Sequence, residues 1–294
     1  MSKRKAFAKM IASPGMTVAP GAYDGLTATL IDRAGFPAVY MTGSGTSGSH
    51  GLPDFGLLTL TEMVQNANRI DACTSVPVIA DADTGYGNVL NVFRTVHEYE
   101  RAGIAAIHIE DQEFPKKCGH LENKKIIPLD EYVAKIRAAA DARKDPDFHI
   151  IARTDSRAVV DFEEAIKRAN AALDAGADIA FVEAPQTLDE MKAVPKLVNG
   201  PCLLNVVHKG KTPSVELEVA EEMGYKLAIL PTLLFRSVIG LCESLLGELK
   251  ETKLFPTPPG DMSPQDAFRR FGADEWDERR DKYDTPDAPK VAAE

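Results

Sequence analysis

Residues able to do acid, base and metal chemistry stand at the ends of short apolar runs in this chain. Tyr40, Thr42, Gly43 and Ser44 end one run and Asp81 with Asp83 another; Glu110 with Asp111, Arg153, Glu183, Asn205, and Pro231 with Thr232 follow. Asp81 and Asp83 are two residues apart, and the period of two along a strand points both side chains to one side. With Glu110 and Asp54 nearby, several carboxylates would converge, and two such charges about 4 Å apart repel by roughly 4 kcal/mol at an effective dielectric near 20. A divalent cation relieves that strain, and all-oxygen ligands with one or two carboxylates suit Mg²⁺. Taken alone, a D-x-D pattern is more often a loop cap or a solvated strand end; its place after an apolar strand favours the metal.

Arg153 ends the run FHIIAR. Its planar guanidinium can grip a carboxylate at two points or be taken up in an internal salt bridge with Asp155 or Glu183. The loop YMTGSGTSGSHG offers N–H and hydroxyl donors to an anion, or is simply a flexible connection. Cys118 lies in the long polar insertion FPKKCGHLENKKIIP, flanked by Lys116, Lys117 and His120, charges that favour thiolate and proton exchange near neutral pH. Long insertions of this kind often serve as active-site lids. Cys73, Cys202 and Cys242 read as small buried hydrophobes, and His50, His97, His108, His149 and His208, without metal-ligand spacing, as structural.

These residues need a scaffold, and the sequence supplies eight strand-like runs: 16–22, 38–43, 76–83, 105–111, 148–155, 178–184, 202–207 and 227–231. Between them lie amphipathic helical segments, the alternation of a parallel sheet with crossover helices. Gly35, Gly103, Gly176 and Gly224 are placed to cap helices in the left-handed conformation. Eight units favour closure into a (β/α)₈ barrel over an open sheet, with the active site at the C-terminal strand ends. The expected organisation is a barrel over residues 1–254 and, over 255–294, a Pro-rich linker and a helix at 263–282. Its Phe268, Phe271 and Trp276 would dock on the barrel or on another subunit.

Composition bounds the partners. With 34 basic and 44 acidic residues the net charge is −10, and no long basic run is present, which argues against nucleic acid or an anionic membrane. The most apolar stretch, 227–246, is broken by Pro231, Arg236 and Glu243 and does not qualify as a membrane span. Four cysteines without a C-x-x-C pair argue against a zinc site or disulfide framework and for a reducing compartment. The expected location is the cytoplasm, or an organellar matrix if the basic segment 1–23 is a transit sequence rather than a surface helix.

The specific elements, in order, are YMTGSG, GLPD ending at Asp54, DADTGYGN from Asp81, HIEDQ with Glu110, KKCGH from Lys116, ARTD with Arg153 and FVEAP with Glu183. Together, from about residue 20 to about residue 250, they resemble the isocitrate lyase and phosphoenolpyruvate mutase superfamily. The KKCGH segment resembles its lyase branch, because the phosphonomutase branch lacks that cysteine. The resemblance implies a (β/α)₈ barrel with Mg²⁺ at its mouth (Mn²⁺ as a substitute) and a mobile gating loop carrying KKCGH. It also implies a homo-oligomer, dimer or tetramer, in which the helix beyond the barrel packs on a neighbour.

By the same resemblance Cys118 is the acid that protonates a departing carbanion, and Tyr40 is the first choice for base. Lys116 and His120 join the catalytic set. Asp81 and Asp83 hold the metal with water-linked help from Asp54 and Glu110. Thr42, Gly43, Ser44, Arg153, Glu183, Asn205, Gly119 and Pro231 are the substrate contacts. The implied activity cleaves a 2-hydroxy di- or tricarboxylate, of 2-methylisocitrate or 2,3-dimethylmalate type, to a 2-oxo acid such as pyruvate plus a carboxylic acid. Oxaloacetate hydrolysis or decarboxylation, phosphonomutase chemistry and a non-catalytic dicarboxylate-binding barrel are the alternatives. Leu121 and Glu122 stand where 2-methylisocitrate lyases tend to carry a basic residue, and Pro231 where oxaloacetate hydrolases tend to carry serine.

Overall fold

The computed structural model describes residues 1–119 and 121–284; His120 lies outside the described residues. Eight parallel strands close into a barrel in sequence order: β1 (Thr17–Ala22), β2 (Val39–Met41), β3 (Val78–Asp81), β4 (Ala106–Glu110), β5 (His149–Thr154), β6 (Ile179–Val182), β7 (Cys202–Asn205) and β8 (Leu227–Leu230). The seam pairs β1 with β8, from Thr17 opposite Leu227 to Pro20 opposite Leu230. Each strand matches an apolar run of the sequence, as expected of strands covered on both faces.

The alternation of side chains sorts each strand into two rows. Val39, Met41, Val78, Ala80, Ile107, Ile109, Ile150 and Ala152 join a core with the helices. Tyr40, Ile79, Ile151, Phe181, Leu203 and Ile229 form a separate cluster, the filling of the barrel. His108 belongs to this inner layer: its ring stacks on Tyr40 at 5.8 Å and meets the edge of Phe181 at 5.7 Å. Two residues further along these inward rows stand Thr42, Asp81, Glu110, Arg153, Glu183, Asn205 and Pro231. One strand period therefore separates the apolar filling from the polar ring at the mouth.

Several helices begin on side-chain caps, such as Thr59 with Glu62 before Leu60–Ala72 and Asn88 with Asn91 before Val89–Arg101. Gly35, Gly103, Gly176 and Gly224 have φ of 83°, 91°, 107° and 106°, the left-handed turns expected after the helices. At Gly21 a Cβ would fall 2.5 Å from the Pro231 carbonyl oxygen, so only glycine lets β1 approach the end of β8.

Residues Met1–Ile239 form one compact unit and a second begins at Gly240, inside the helix Leu233–Thr252. Instead of one helix over 263–282 the second unit has two, Pro264–Arg269 and Ala273–Tyr283, divided at Gly272, whose φ of 79° breaks helical continuation. Phe268, Phe271 and Trp276 are exposed. No helix among the described residues is long and apolar enough to cross a membrane. Cys202 is buried as expected, but Cys73 and Cys242 are exposed: Cys73 is the terminal cap of Leu60–Ala72, and Cys242 lies on Leu233–Thr252, none of whose residues is buried.

Candidate active site

At the C-terminal end of the barrel a narrow cavity is lined by Tyr40, Thr42, Ser44, Asp54, Asp81, Lys116, Cys118, Gly119, Arg153, Glu183, Asn205 and Pro231, together with Val207, Ile229 and Thr232. Asp83 and Glu110 stand beside it, tied to Lys116 and Arg153. Gly43 underlies the rim: a Cβ there would fall 2.2 Å from an Asp81 carboxylate oxygen, so glycine is required. Of the residues singled out in the sequence, only His120 cannot be placed.

Loop 111–128 closes over this ring. Its stem is stitched by Glu113 N–H to the Lys125 carbonyl (2.9 Å), Ile127 N–H to the Asp111 carbonyl (2.9 Å) and the Gln112 side-chain amide to the Lys117 carbonyl (2.8 Å). At the tip the Cys118 N–H donates to the Asp54 carbonyl at 3.1 Å. A Cβ on Gly119 would fall 2.4 Å from Arg153 Nη2 and 2.9 Å from the Glu183 carboxyl carbon, so the tip rests on these two side chains with no room for any residue but glycine.

The charges are arranged in pairs. Lys116 Nζ lies 2.5 Å from Asp54 Oδ1 and 2.9 Å from Asp83 Oδ1. Its ammonium is therefore committed to carboxylates, a different use from the thiolate support its neighbourhood with Cys118 suggests. Arg153 meets Asp155 at 2.8 Å, Glu110 at 3.2 Å and Glu183 at 3.5 Å, with its guanidinium over the Phe181 ring. Of the two readings of this arginine the internal pairing is present; the same guanidinium lines the cavity, with Nη1 making no hydrogen bond among the described residues.

Burial raises Asp83 to about 6 against the pull of Lys116, and burial pushes Glu110 well above its ordinary value despite Arg153. Burial first, then Asp81, raises Tyr40 well above the usual phenol range. Asp155 behaves oppositely: burial alone would raise it, but Arg153 and then Lys124 outweigh that and hold it well below the usual carboxylate range.

Sequence reading missed four contributors. His108, taken as structural, is wholly buried beneath the site, 2.8 Å from the Tyr40 hydroxyl through Nε2 and 3.5 Å from Asp81, with burial lowering it to about 4. Its signal was parity, two residues before Glu110 on the same inward row. Lys124 reaches Asp155 and the Gly119 carbonyl, both at 2.5 Å, and Val207 and Ile229 add apolar wall.

A family model described as phosphoenolpyruvate phosphomutase matches residues 7–250. The chain belongs to the isocitrate lyase and phosphoenolpyruvate mutase superfamily. Among its curated relatives, 2,3-dimethylmalate lyase of Eubacterium barkeri is 52% identical over 225 residues, 76% of this chain and 78% of that one. The 2-methylisocitrate lyase of Aeropyrum pernix is 45% identical over 243 residues, 83% of this chain and 78% of that one. The crystal structure of a 2,3-dimethylmalate lyase superimposes with a TM-score of 0.92 at 39% identity, covering 100% of this chain and 99% of that one.

Superfamily membership frames the question of a metal. Among the described residues no three His, Cys, Asp or Glu side chains converge closely enough to enclose an ion as they stand. Instead the Lys116 ammonium occupies the gap between Asp54 and Asp83, a positive charge standing where the acidic groups demand one. Glu110 Oε1 is buried and has no hydrogen-bond partner among the described residues. Around the cavity Asp54, Asp81, Asp83, Glu110, Asp155 and Glu183 outnumber Lys116, Lys124 and Arg153 two to one. An oxygen-only, electron-rich donor set of this kind fits a hard divalent cation.

Proposed function

We propose that the chain is a carbon-carbon lyase acting on a 2-hydroxy dicarboxylate of the 2,3-dimethylmalate type. The reading rests on one observation: Cys118 and Gly119, carried on a loop, close the same cavity that Tyr40, Asp81 and Arg153 line from the strands. A thiol proton donor, an acidic cation site, a phenol and a guanidinium thereby face one small space. Asp81 and Asp83 would hold Mg²⁺, or Mn²⁺ in its place, with Asp54 and Glu110 contributing through water. When bound, the ion would supply Lewis acidity toward the substrate's oxygens.

This chain's own groups do the rest. Arg153, with the donors of Thr42, Gly43 and Ser44 and the amide of Asn205, holds the carboxylates. Tyr40, as the phenolate that a cation beside Asp81 would favour and that His108 Nε2 supports at 2.8 Å, accepts the 2-hydroxyl proton. The electron pair of the O–H bond becomes the new carbonyl, the bond between carbons 2 and 3 breaks, and its pair passes to carbon 3. Cys118 Sγ–H protonates that carbon, releasing a 2-oxo acid and a carboxylic acid. Return of the proton to the thiolate when the loop opens resets the site.

A dicarboxylate is favoured over a tricarboxylate by the charge count. Lys116, Lys124 and Arg153 already have carboxylate partners, Glu122 on the loop is paired with Lys211 at 2.8 Å, and Val207, Ile229 and Pro231 offer walls for methyl groups. Incubation with Mg²⁺ and, separately, 2,3-dimethylmalate, 2-methylisocitrate, isocitrate and oxaloacetate, with products identified by mass, tests the reading. Pyruvate and propionate from dimethylmalate, at the highest kcat/KM of the four, are expected; turnover of oxaloacetate alone, or of none, refutes it. The exposed Leu241, Leu246, Leu249 and Trp276 suit a homo-oligomer, which sedimentation would measure.

A further inference from the structure

The loop that carries Cys118 has to be held shut by something, and its backbone stitching accounts only for the stem. At the tip the Lys124 side chain turns back beneath the loop, 2% exposed, and places Nζ 2.5 Å from the Gly119 carbonyl and 2.5 Å from Asp155 Oδ1. Asp155 is a fixed post. It follows the last residue of β5, is fully buried, and its N–H donates to Asp111 Oδ1 at 2.8 Å. Asp111 is itself anchored by Thr154 Oγ1 at 2.6 Å and Arg168 Nη1 at 3.1 Å. The other side of the same Asp155 carboxylate holds Arg153 Nε at 2.8 Å.

We propose that Lys124 is a positioning residue that clasps the Cys118 loop onto Asp155, so that one carboxylate sets both the closed position of the loop and the presentation of Arg153. The proposal deepens the lyase reading, on which its catalytic consequence rests, but the clasp itself stands on geometry alone. A carboxylate shared by two cations ties their positions together. When Lys124 withdraws, the Asp155 carboxylate keeps only Arg153, and the Gly119 carbonyl loses its buried donor. Removing one partner of a desolvated pair leaves the other uncompensated, which favours the open loop. Segments released in this way open locally without global unfolding.

Lys124→Met keeps the stem of the side chain and removes the charge; Lys124→Arg restores a cation. In Lys124→Met the rate of Cys118 alkylation by iodoacetamide, followed on its own peptide by mass spectrometry, is expected to rise at least tenfold. Deuterium uptake over 114–124 should rise with it while β1 to β8 stay protected, and kcat on dimethylmalate should fall about 10²-fold with KM changed less than threefold. Lys124→Arg should recover most of each effect, which a lost generic packing contact would not. Should Lys124→Met fail to fold, Asp155→Asn, which keeps the shape of the post, is expected to give the same rise in alkylation. Parental alkylation and exchange in a folded variant overturn the clasp, whatever the enzyme turns over. A clasp that behaves as expected in a protein inert toward dimethylmalate leaves the clasp standing and removes the lyase reading.

Discussion

Replacing Lys116 by methionine takes one positive charge out of the most crowded part of the mouth. The Lys116 side chain is 3% exposed, and those of its partners Asp54 and Asp83 are 12% and 6% exposed, so water screens the pair poorly. Breaking a buried ion pair from one side costs about 3–5 kcal/mol. At about 2–4 °C per kcal/mol for a chain of this class, the melting temperature should drop by roughly 6–20 °C without added metal. Asp83, already raised to about 6 by burial with Lys116 opposing, loses that opposition and holds its proton more tightly, which keeps the loss toward the lower end. Because the ammonium fills the gap between the carboxylates, its removal also clears the place for a dication. Mg²⁺ at about 100 times its dissociation constant returns about 2.7 kcal/mol. Scanning calorimetry of parent and variant, with and without Mg²⁺, reads both effects. A variant that melts within 2 °C of the parent in chelator, or that gains no more than the parent from Mg²⁺, refutes the argument that Lys116 stands in for the ion.

Cys118→Ser should lower kcat about 10²- to 10⁴-fold, the range for a lost general acid, with Mg²⁺ binding by titration calorimetry unchanged; a loss below threefold removes the thiol from the chemistry. Gly119→Ala puts a Cβ 2.4 Å from Arg153 Nη2 and should lift the loop tip, cutting kcat about 10²-fold while leaving the melting temperature within a few degrees; parental kcat would contradict the close approach. Asp155 has a folded pKa depressed by Arg153 and Lys124 against its burial, so its stabilising contribution is complete above the unfolded value of about 3.9 and is lost as pH falls through that value toward the folded one. The urea midpoint of Asp155→Asn should therefore lie below the parent's at pH 6, with a gap that begins to narrow between about pH 4 and pH 3; a gap that does not narrow counts against the pairing.

The barrel was legible because its evidence is local and repeated. Eight apolar runs, each followed by a helical period and often a glycine with positive φ, state the same unit over and over, and the structure closes those units in order. The single helix expected at 263–282 failed on a residue whose effect the sequence understates, since Gly272 is tolerated in a helix until it takes a φ of 79°. The positions of the polar ring were legible for a sharper reason. Thr42, Asp81, Glu110, Arg153, Glu183, Asn205 and Pro231 each stand two residues past an inward barrel side chain, so strand parity places them without any knowledge of the fold's details.

Parity says where a side chain points but nothing about which charge it meets, and that is where sequence reasoning stopped. Lys116 to Asp54 spans 62 positions and Lys124 to Asp155 spans 31, distances fixed only once the loop folds back over the mouth. His108 was dismissed for want of metal-ligand spacing, yet the inward row of β4 runs Ala106, His108, Glu110, and a polar residue midway along such a row must find its partner inside the barrel. It finds Tyr40 and Asp81. The same rule extends to the loop: the ammonium of a lysine whose side chain is 2% exposed has to end on buried oxygen, so the lysines of KKCGHLENKK were never interchangeable surface charges. Lys125, 77% exposed, remains one, while its neighbour Lys124 lies beneath the loop tip, and one position along the chain decides between solvent and the clasp.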